Sequence, residues 1–324
     1  MSDLENNYER FTDQYDFTKR NYNIIIHSPS ASGKYEFINH ILEKYYNSHN
    51  IQYSQDIQIN PDILYLSLPL FNKSGKFERN ITNNERLLYE FGFEEKFDNC
   101  RVGTEISVDQ IRGVKEFTNI SPRYKHKFVI INNCNYLNQQ SSAALLKTLE
   151  ETNSSCIFLL LASEIDLLKD TIKSRCHSFS YTCDIKTKTS ISYFDFYVSS
   201  KPGLKKIHED NGYLENYNLF ENELSELYKK DINPISLSKN WMDRGHLCID
   251  YLLSLFYILM RGFGVKDPVI QKIHTSLKDK IPINSARAIA IINILYEYKI
   301  DSRRNLNKKL FYDNLLIVLN KELY

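Results

Sequence analysis

Three short apolar runs in the first half of the chain constrain its fold more than any other feature. They are Asn23–His27, Lys127–Asn132 and Cys156–Ala162, and their interiors are continuously apolar rather than alternating. Continuous apolar character is typical of parallel strands that are covered on both faces. Helical patterns, with apolar residues spaced three and four apart, lie between the runs. This order of strands and helices predicts a parallel α/β sheet with crossover helices.

The predicted helices of this half have recognisable starts and apolar faces. The first follows a Ser/Pro/Gly turn, and its apolar face carries Phe37, Ile38, Ile41, Leu42 and Tyr45. Ser107 and Gln110 have the spacing of a capping box and open a second helix, with Ile111, Val114 and Phe117 on one face. Ser141–Glu151 is predicted as a third helix.

The remaining segments suggest how the chain is divided. Residues 72–98 are polar and rich in asparagine, so we expect a long surface insertion there. Strand patterns fade after about residue 180, and from about residue 213 the pattern is helical, as in Leu247–Met260, Ser285–Tyr298 and Asn307–Leu323. We therefore predict an α/β domain over residues 1–180, a small helical lid over 181–212 and a helical bundle over 213–324.

Composition and charge narrow the class of protein. The chain has 324 residues, which favours two or three domains, and its net charge of +1 argues against a protein that coats nucleic acid. The six cysteines show no metal-ligand spacing and fit a reducing compartment: Cys100, Cys134, Cys156, Cys176, Cys183 and Cys248. The polar N-terminus and the 14-residue length of the longest apolar stretch predict a cytoplasmic protein that does not enter membranes.

The turn after the first strand, Ser28–Tyr35, resembles a phosphate-binding loop that has lost essential parts. A working loop reads G-x-x-x-x-G-K-[ST], in which the amides and the lysine hold phosphates and the final hydroxyl holds Mg²⁺. Gly33 and Lys34 remain, but Ser28 replaces the first glycine and Tyr35 replaces the hydroxyl residue. A tyrosine oxygen lies too far from the backbone to serve that metal, so we predict a degenerate loop. Weak or unproductive nucleotide binding remains an alternative.

The second half of such a metal site is an acidic pair at the end of a buried strand. This chain has Asn132 and Asn133 after the second strand. Neutral amides neither balance the charge of a metal nor act as a general base. Together with Tyr35, this pair predicts that the chain hydrolyses no nucleotide by itself.

A specific family resemblance lies in two motifs farther along the chain. Residues 144–151 read ALLKTLEE, and Ser174–Cys176 reads Ser-Arg-Cys after the third strand. These motifs resemble the clamp-loader branch of the AAA+ ATPases, and within it the delta prime family of bacterial DNA polymerase III subunits. Weaker similarities are Asn60–Asp62 to an HPD turn, Ser107–Arg112 to an I-x-V-D-x-I-R segment, Pro202–Gly203 to an S-P-G sequence in the lid and Asn305–Leu319 to a terminal helix.

The resemblance implies a RecA-like domain, a helical lid and a helical collar that forms oligomers. It also implies five subunits in a ring around primer–template DNA, which open the sliding clamp with ATP as part of a DNA-directed DNA polymerase holoenzyme in the replisome at the nucleoid. The partners would be the gamma/tau ATPase and delta subunits, the sliding clamp and, through the ring, DNA. The delta prime family does not hydrolyse ATP, so ATP-Mg²⁺ would be bound by the neighbouring subunit and no cofactor by this chain.

Arg175 would be the contribution of this chain to catalysis. A guanidinium is permanently charged and planar, so it can neutralise charge on a γ-phosphate across a subunit interface. Ser174 would shape the turn that presents Arg175, whereas Cys176 is interpreted as a packing residue. The alternative for Arg175 is an ordinary surface ion pair.

Two further expectations concern metal and DNA. Many delta prime proteins carry a four-cysteine zinc module after the first helix, but residues 46–99 contain no cysteine, so we expect no zinc. A basic cluster could contact DNA phosphates inside a ring, although solvated surface charge is the more common explanation. Its members are Arg112, Lys115, Arg123, Lys125 and Lys127.

Two alternative functions remain at this point. One is an active ATP-hydrolysing subunit of the gamma/tau type or another AAA+ motor with unusual metal ligands, for which Lys34 would be essential. The other is a DNA-binding module with no role at a neighbour's nucleotide, which the near-neutral charge disfavours.

Overall fold

The computed structural model describes residues 3–17, 22–53, 60–90, 97, 100–151, 155–182, 193–199, 201, 203–205, 207, 214–243, 247–262, 264, 267–301 and 307–323. The chain divides into two compact units, one of residues 1–87 and 95–184 and the other of residues 88–94 and 185–324. The predicted boundary between a lid and a collar is a finer division, and it stays a prediction. Pro202 and Asn305 lie outside the described residues.

The first unit is built on a five-stranded sheet whose neighbouring strands all pair in parallel, in the order β2-β6-β7-β1-β8. The predicted strands are confirmed, with two edge strands added to them. In chain order the strands of this sheet are β1 (Asn23–His27), β2 (Ile63–Leu66), β6 (Lys127–Ile131), β7 (Cys156–Ala162) and β8 (His177–Ser180).

One helix precedes β1 and the others connect the strands, as the crossover of parallel strands requires. They are α1 (Asp3–Gln14), α2 (Lys34–Ser48), α3 (Asn83–Glu90), α4 (Val108–Asn119), α5 (Gln139–Glu151) and the short α6 (Asp170–Lys173). The predicted capping box of α4 is confirmed, because Ser107 Oγ accepts from the N–H of Gln110 and Gln110 Oε1 accepts from the N–H of Ser107. The parallel order and its crossover helices are those of a RecA-like α/β domain, which confirms the predicted fold class.

One core cluster of this unit lies on the face of the sheet beneath α1 and α2. Alternate strand residues point to this face, among them Ile24, Ile26, Phe128 and Ile130. They meet an aromatic layer in which rings contact edge to face, tilted or stacked: Phe11, Tyr15, Phe17, Phe37, Tyr45 and Phe179. Burial of this layer fixes α2, and therefore the loop that precedes it, against the sheet.

The inserted segment contains a strand, a helix and buried side chains where the structure describes it. The prediction that residues 72–98 form a long surface insertion is therefore wrong in part. A second, antiparallel sheet has the order β4-β3-β5, with β3 (Pro69–Phe71), β4 (Phe77–Asn80) and β5 (Arg101–Val102). Residues 72–76 form its exposed turn, but Ile81 and Leu87 are fully buried. The polar sequence conceals this because only a few of its side chains face inward.

The described part of the second unit is helical, as predicted for the C-terminal region. Its helices are α7 (Tyr193–Ser199), α8 (Leu214–Lys229), α9 (Pro234–Asp243), α10 (Leu247–Arg261), α11 (Pro268–Lys280), α12 (Ser285–Asp301) and α13 (Lys308–Glu322). α10 packs on α12, and α9 packs on α13. The largest buried side chains in the described part of this unit are Tyr197, Phe220, Trp241, Tyr251 and Phe256. No described helix is long and apolar enough to cross a lipid bilayer.

Candidate functional site

The loop between β1 and α2 has the backbone shape of a phosphate-binding loop at its last glycine. Gly33 precedes the first residue of α2 and has φ of +100°, in the left-handed region where residues with a Cβ are strained. Ala31 also lies in that region, with φ of +60°. The chain therefore retains the sharp turn from strand to helix that such loops use.

The side chain of Lys34 points back into its own loop. It is buried, and its Nζ donates to the carbonyl oxygens of Ser28 at 2.5 Å and Pro29 at 2.7 Å. In a working loop the lysine reaches the β- and γ-phosphates. Here the ammonium is held by loop carbonyls, which a phosphate would have to displace.

Tyr35, at the position of the hydroxyl residue of a working loop, makes packing contacts. Its ring meets the ring of Tyr65 edge to face, with centroids 5.9 Å apart, and it lies against the aromatic core beneath α2. The predicted replacement of a hydroxyl ligand by Tyr35 has thus become a packing contact. Tyr65, on β2, was not identified from the sequence, although β2 directly follows the Asn60–Asp62 turn.

Asn132 and Asn133 lie at the carboxyl end of β6 and are both buried. Asn132 Nδ2 donates to the hydroxyl oxygen of Tyr65 at 2.7 Å and to Asn83 Oδ1 at 3.1 Å. Asn133 has φ of +65°, which asparagine tolerates better than most residues. Tyr65 therefore connects the two altered parts of the degenerate nucleotide site, since its ring contacts Tyr35 in the loop and its hydroxyl accepts from Asn132 at the end of β6.

The inserted segment supplies a further part of this network. Asn83, at the start of α3, accepts a hydrogen bond from Arg86 Nη2 at 3.2 Å in addition to the one from Asn132. Asn83 and Arg86 are each only 5% exposed. Sequence reasoning missed both, because an asparagine and an arginine three apart in a polar segment are indistinguishable from an exposed helix face.

This set of side chains does not fit a magnesium-bound nucleotide. Mg²⁺ in nucleotide sites is held by a carboxylate and a small hydroxyl together with phosphate oxygens. The corresponding positions here carry two amides and a tyrosine ring, and the lysine is engaged with its own loop. Within the described residues, no group of three or more His, Cys, Asp or Glu side chains is arranged to hold a metal ion.

Arg175 lies in a different environment, on the turn between α6 and β8. The turn is shaped by Ser174, whose Oγ donates to the carbonyl oxygen of Thr171 at 3.0 Å. Arg175 Nη1 donates to the same carbonyl at 3.2 Å, and the Arg175 carbonyl accepts from Asn23 Nδ2 at 3.3 Å. The side chain of Arg175 is 39% exposed, so a partner molecule can reach its guanidinium.

The guanidinium of Arg175 also forms an ion pair that the sequence did not predict as a specific contact. Its Nε and Nη2 both contact Glu150 Oε1, in the ALLKTLEE segment of α5. The alternative interpretation of Arg175 as a surface ion pair is therefore correct for the isolated chain. The pair is solvent-exposed, and such pairs are worth about 0–1 kcal/mol, so it does not prevent Arg175 from binding a more highly charged anion.

Cys176 is a packing residue in this structure, consistent with its interpretation from the sequence. Burial raises the pKa of its thiol to about 12, so the thiol remains protonated near neutral pH. The same cause raises the pKa of Cys156 to about 12.

The basic residues that were candidates for DNA contact differ in exposure and in their partners. Arg112 pairs with Asp109 at 2.7 Å, and Lys115 pairs with Glu151 at 3.1 Å. Arg123 is exposed in the loop after α4. The prediction for Lys127 is wrong, because its side chain is buried and its Nζ donates to the Phe117 carbonyl at 2.6 Å.

Comparison with known proteins places these features in a family. The sequence model of the family described as DNA polymerase III, delta subunit, matches residues 5–183, which is more than half of the chain. That stretch covers the sheet, the degenerate loop and the Ser-Arg-Cys motif.

Individual relatives share shorter or weaker similarity. A putative replication factor C small subunit of Acanthamoeba polyphaga mimivirus is 26% identical over 159 residues, covering 48% of this chain and 39% of that protein. The DNA polymerase III subunit tau of Bacillus subtilis (strain 168) is 37% identical over 75 residues, covering 23% of this chain and 13% of that protein. The chain thus matches well under two thirds of the length of either relative.

Two solved structures align with this chain at low sequence identity. A DNA polymerase III gamma subunit-related protein of Thermotoga maritima aligns over 100% of both chains, with 19% identity and a TM-score of 0.41. The DNA clamp loader delta protein of Bacillus subtilis aligns over 98% of this chain and 99% of that chain, with 10% identity and a TM-score of 0.33.

Proposed function

Because the chain belongs to the DNA polymerase III delta-subunit family, matched over residues 5–183, we propose that it is a delta prime-like clamp-loader subunit that does not hydrolyse ATP. In this role it supplies Arg175 as an arginine finger to the ATP bound by a neighbouring subunit. The neighbour is a gamma/tau-type ATPase, and the assembly also includes a delta subunit.

The observation that carries this proposal is the contrast between two sites in one domain. At the phosphate loop, Lys34, Tyr35 and Asn132 are all engaged in contacts within the chain. At the turn after α6, Arg175 presents a guanidinium that is part exposed. A chain with an incomplete nucleotide site and an accessible finger is suited to complete the site of another subunit.

Chemistry supports the same role for Arg175. Charge builds up on the phosphoryl oxygens in phosphoryl transfer, and a planar guanidinium stabilises that charge. In GTPases, such fingers contribute about 10³- to 10⁵-fold in rate. The chain itself needs neither Mg²⁺ nor a general base for this contribution. ATP-Mg²⁺ belongs to the neighbour, and no zinc is required.

The remaining partners follow from the proposed assembly. The ring opens a sliding clamp and holds primer–template DNA, and this chain acts there as a rigid member. Direct DNA contact by Arg112 or Lys115 is a minor part of the proposal, because both side chains are already paired with carboxylates.

The test is pre-steady-state ATP hydrolysis by a reconstituted loader that contains Arg175→Ala. We expect the burst to fall by one ATP per loader, since only the site served by Arg175 is slowed. Lys173→Ala is the matched control, because Lys173 lies two residues away and pairs with Asp170 on the same short helix. An unchanged burst with Arg175→Ala would refute the finger role.

The competing function is an active ATPase of the gamma/tau type. It requires hydrolysis by the isolated chain that disappears with Lys34→Ala. We expect no turnover from the purified chain, with or without that substitution.

A further inference from the structure

Glu150 and Arg175 come from separate elements but form one structural unit on the surface of the first domain. Glu150 lies near the end of α5, and Arg175 lies on the turn between α6 and β8. Glu150 Oε1 accepts from both Nε and Nη2 of Arg175. On the other side, Nη1 donates to the Thr171 carbonyl at 3.2 Å and to Ser174 Oγ at 3.4 Å.

These contacts fix the plane of the guanidinium and leave part of it available. A guanidinium has five N–H donors, one on Nε and two on each terminal nitrogen. Glu150 uses the edge formed by Nε and Nη2, and two loop oxygens use Nη1. Among the described contacts, the second N–H of Nη2 has no acceptor within the chain. It is available to an oxygen of a ligand from outside.

A long arginine side chain loses rotamer entropy when it is ordered. A finger that is already ordered in the free subunit avoids part of that loss when it meets a phosphate, and misplacement of such a group by about 1 Å can slow a reaction about 100-fold. We therefore propose that Glu150 is a positioning residue, which orients Arg175 toward the nucleotide of the adjacent subunit. This inference rests on the proposed function.

The neighbouring residue Glu151 provides a matched control. It lies on the same helix, its side chain is 49% exposed against 52% for Glu150, and it pairs with Lys115 and Lys147 rather than with Arg175. Removal of either carboxylate changes the net charge of the subunit equally. Only removal of Glu150 releases the guanidinium.

The test is ATP hydrolysis by the reconstituted loader, with the rate constant and the ATP affinity measured separately. Glu150→Ala is expected to slow the phase that depends on Arg175 by roughly 10- to 100-fold, with the affinity for ATP unchanged. Glu150→Gln is expected to restore most of the rate, because its amide oxygen accepts the same two hydrogen bonds. Glu151→Ala is expected to hydrolyse at the wild-type rate.

A double substitution separates positioning from a general structural effect. If Glu150 acts through Arg175, Glu150→Ala causes no further loss in the Arg175→Ala background. An equal loss in both backgrounds, or a wild-type rate with Glu150→Ala alone, overturns the inference while the finger role stands. A wild-type rate with Arg175→Ala overturns the proposed function and this inference together.

Discussion

At the scale of single residues, Tyr65 explains why the former nucleotide site is stable in its altered form. Its ring packs against Tyr35, and its hydroxyl accepts from Asn132. Burial raises the pKa of Tyr65, so it remains a neutral phenol. If a working residue replaced Tyr35 alone, Asn132 would therefore keep its hydrogen bond to Tyr65, and if one replaced Asn132 alone, Tyr35 would keep its contact with the Tyr65 ring.

Asp62 is another residue whose role becomes clear only in three dimensions. In the sequence, Asn60–Asp62 resembles the HPD turn of the delta prime family. In the structure, Asp62 is buried, with 1% of its surface exposed. Its two oxygens accept from the backbone N–H groups of Arg123, at 2.8 Å, and Tyr124, at 2.7 Å. Asp62 thus holds the loop that leads into β6.

Asp62→Ala is expected to lower the free energy of unfolding by about 3 kcal/mol or more, because each of its two hydrogen bonds to a charged acceptor contributes about 1.5–3 kcal/mol. Denaturant unfolding of the purified chain measures this. Asp109→Ala, which removes an exposed ion pair with Arg112, is the control and should cost about 1 kcal/mol at most. Equal losses in the two variants would refute the role of Asp62.

At the scale of elements, the inserted segment is anchored by its polar side chains. Asn80 Nδ2 donates to the Tyr65 carbonyl at 3.2 Å, and Asn80 Oδ1 accepts from Gln110 Nε2 at 2.6 Å. Glu85 caps α3 by accepting from the N–H of Thr82 and forms an ion pair with Arg79. The insertion is thereby joined both to β2 and to the start of α4.

The stability of this element should depend on acid pH through Glu85. The Arg79 guanidinium, helped by the N–H of Thr82, lowers the pKa of Glu85 to about 2, although burial opposes the shift. Since the folded pKa lies below the unfolded value of about 4.3, the stabilisation is complete above about pH 4.3. It is lost as the pH falls through about 2.

Unfolding free energies measured between pH 5 and 2 would detect this effect. Glu85→Gln should show a shallower loss of stability over that range than the wild type. Glu78→Gln, which alters an exposed carboxylate of the adjoining strand β4, should keep the wild-type slope. The same slope in Glu85→Gln as in the wild type would contradict the assignment.

The capping box of α4 gives a second prediction at this scale. Ser107→Ala removes the side-chain acceptor for the N–H of Gln110, and loss of such a cap costs about 1 kcal/mol. Thermal or denaturant unfolding measures the change. Ser121→Ala, an exposed position beyond the end of the same helix, should change stability by about 0.5 kcal/mol at most. A cost for Ser121→Ala as large as that for Ser107→Ala would count against the cap.

At the scale of the whole molecule, the sequence predicted the buried centre of the sheet and much less of its margins. The runs that became β1, β6 and β7 are buried on both faces, so their apolar character is continuous. The edge strand β8, which reads His-Ser-Phe-Ser, buries only Phe179 and gives no such run. The strands of the second sheet are two to four residues long, and the pairing of β3 with β5 joins residues about 30 apart in sequence, as in Leu70 with Val102.

The candidate sites were predictable to a similar degree. Motif spacing identified Lys34, Tyr35 and Asn132, because a phosphate loop and its acidic pair have fixed positions relative to strands. Their new partners could not be identified in this way. Tyr65 and Asn83 reach Asn132 only through the folded sheet, and Glu150 reaches Arg175 across 25 residues of chain.

The central claim is that the chain contributes to ATP hydrolysis through Arg175 and not through its own loop. The most direct measurement compares the ATP burst of reconstituted loaders that contain the wild-type chain, Lys34→Ala or Arg175→Ala. The proposed role predicts a wild-type burst with Lys34→Ala and one ATP fewer per loader with Arg175→Ala. A wild-type burst with Arg175→Ala, or a smaller burst with Lys34→Ala, would contradict it.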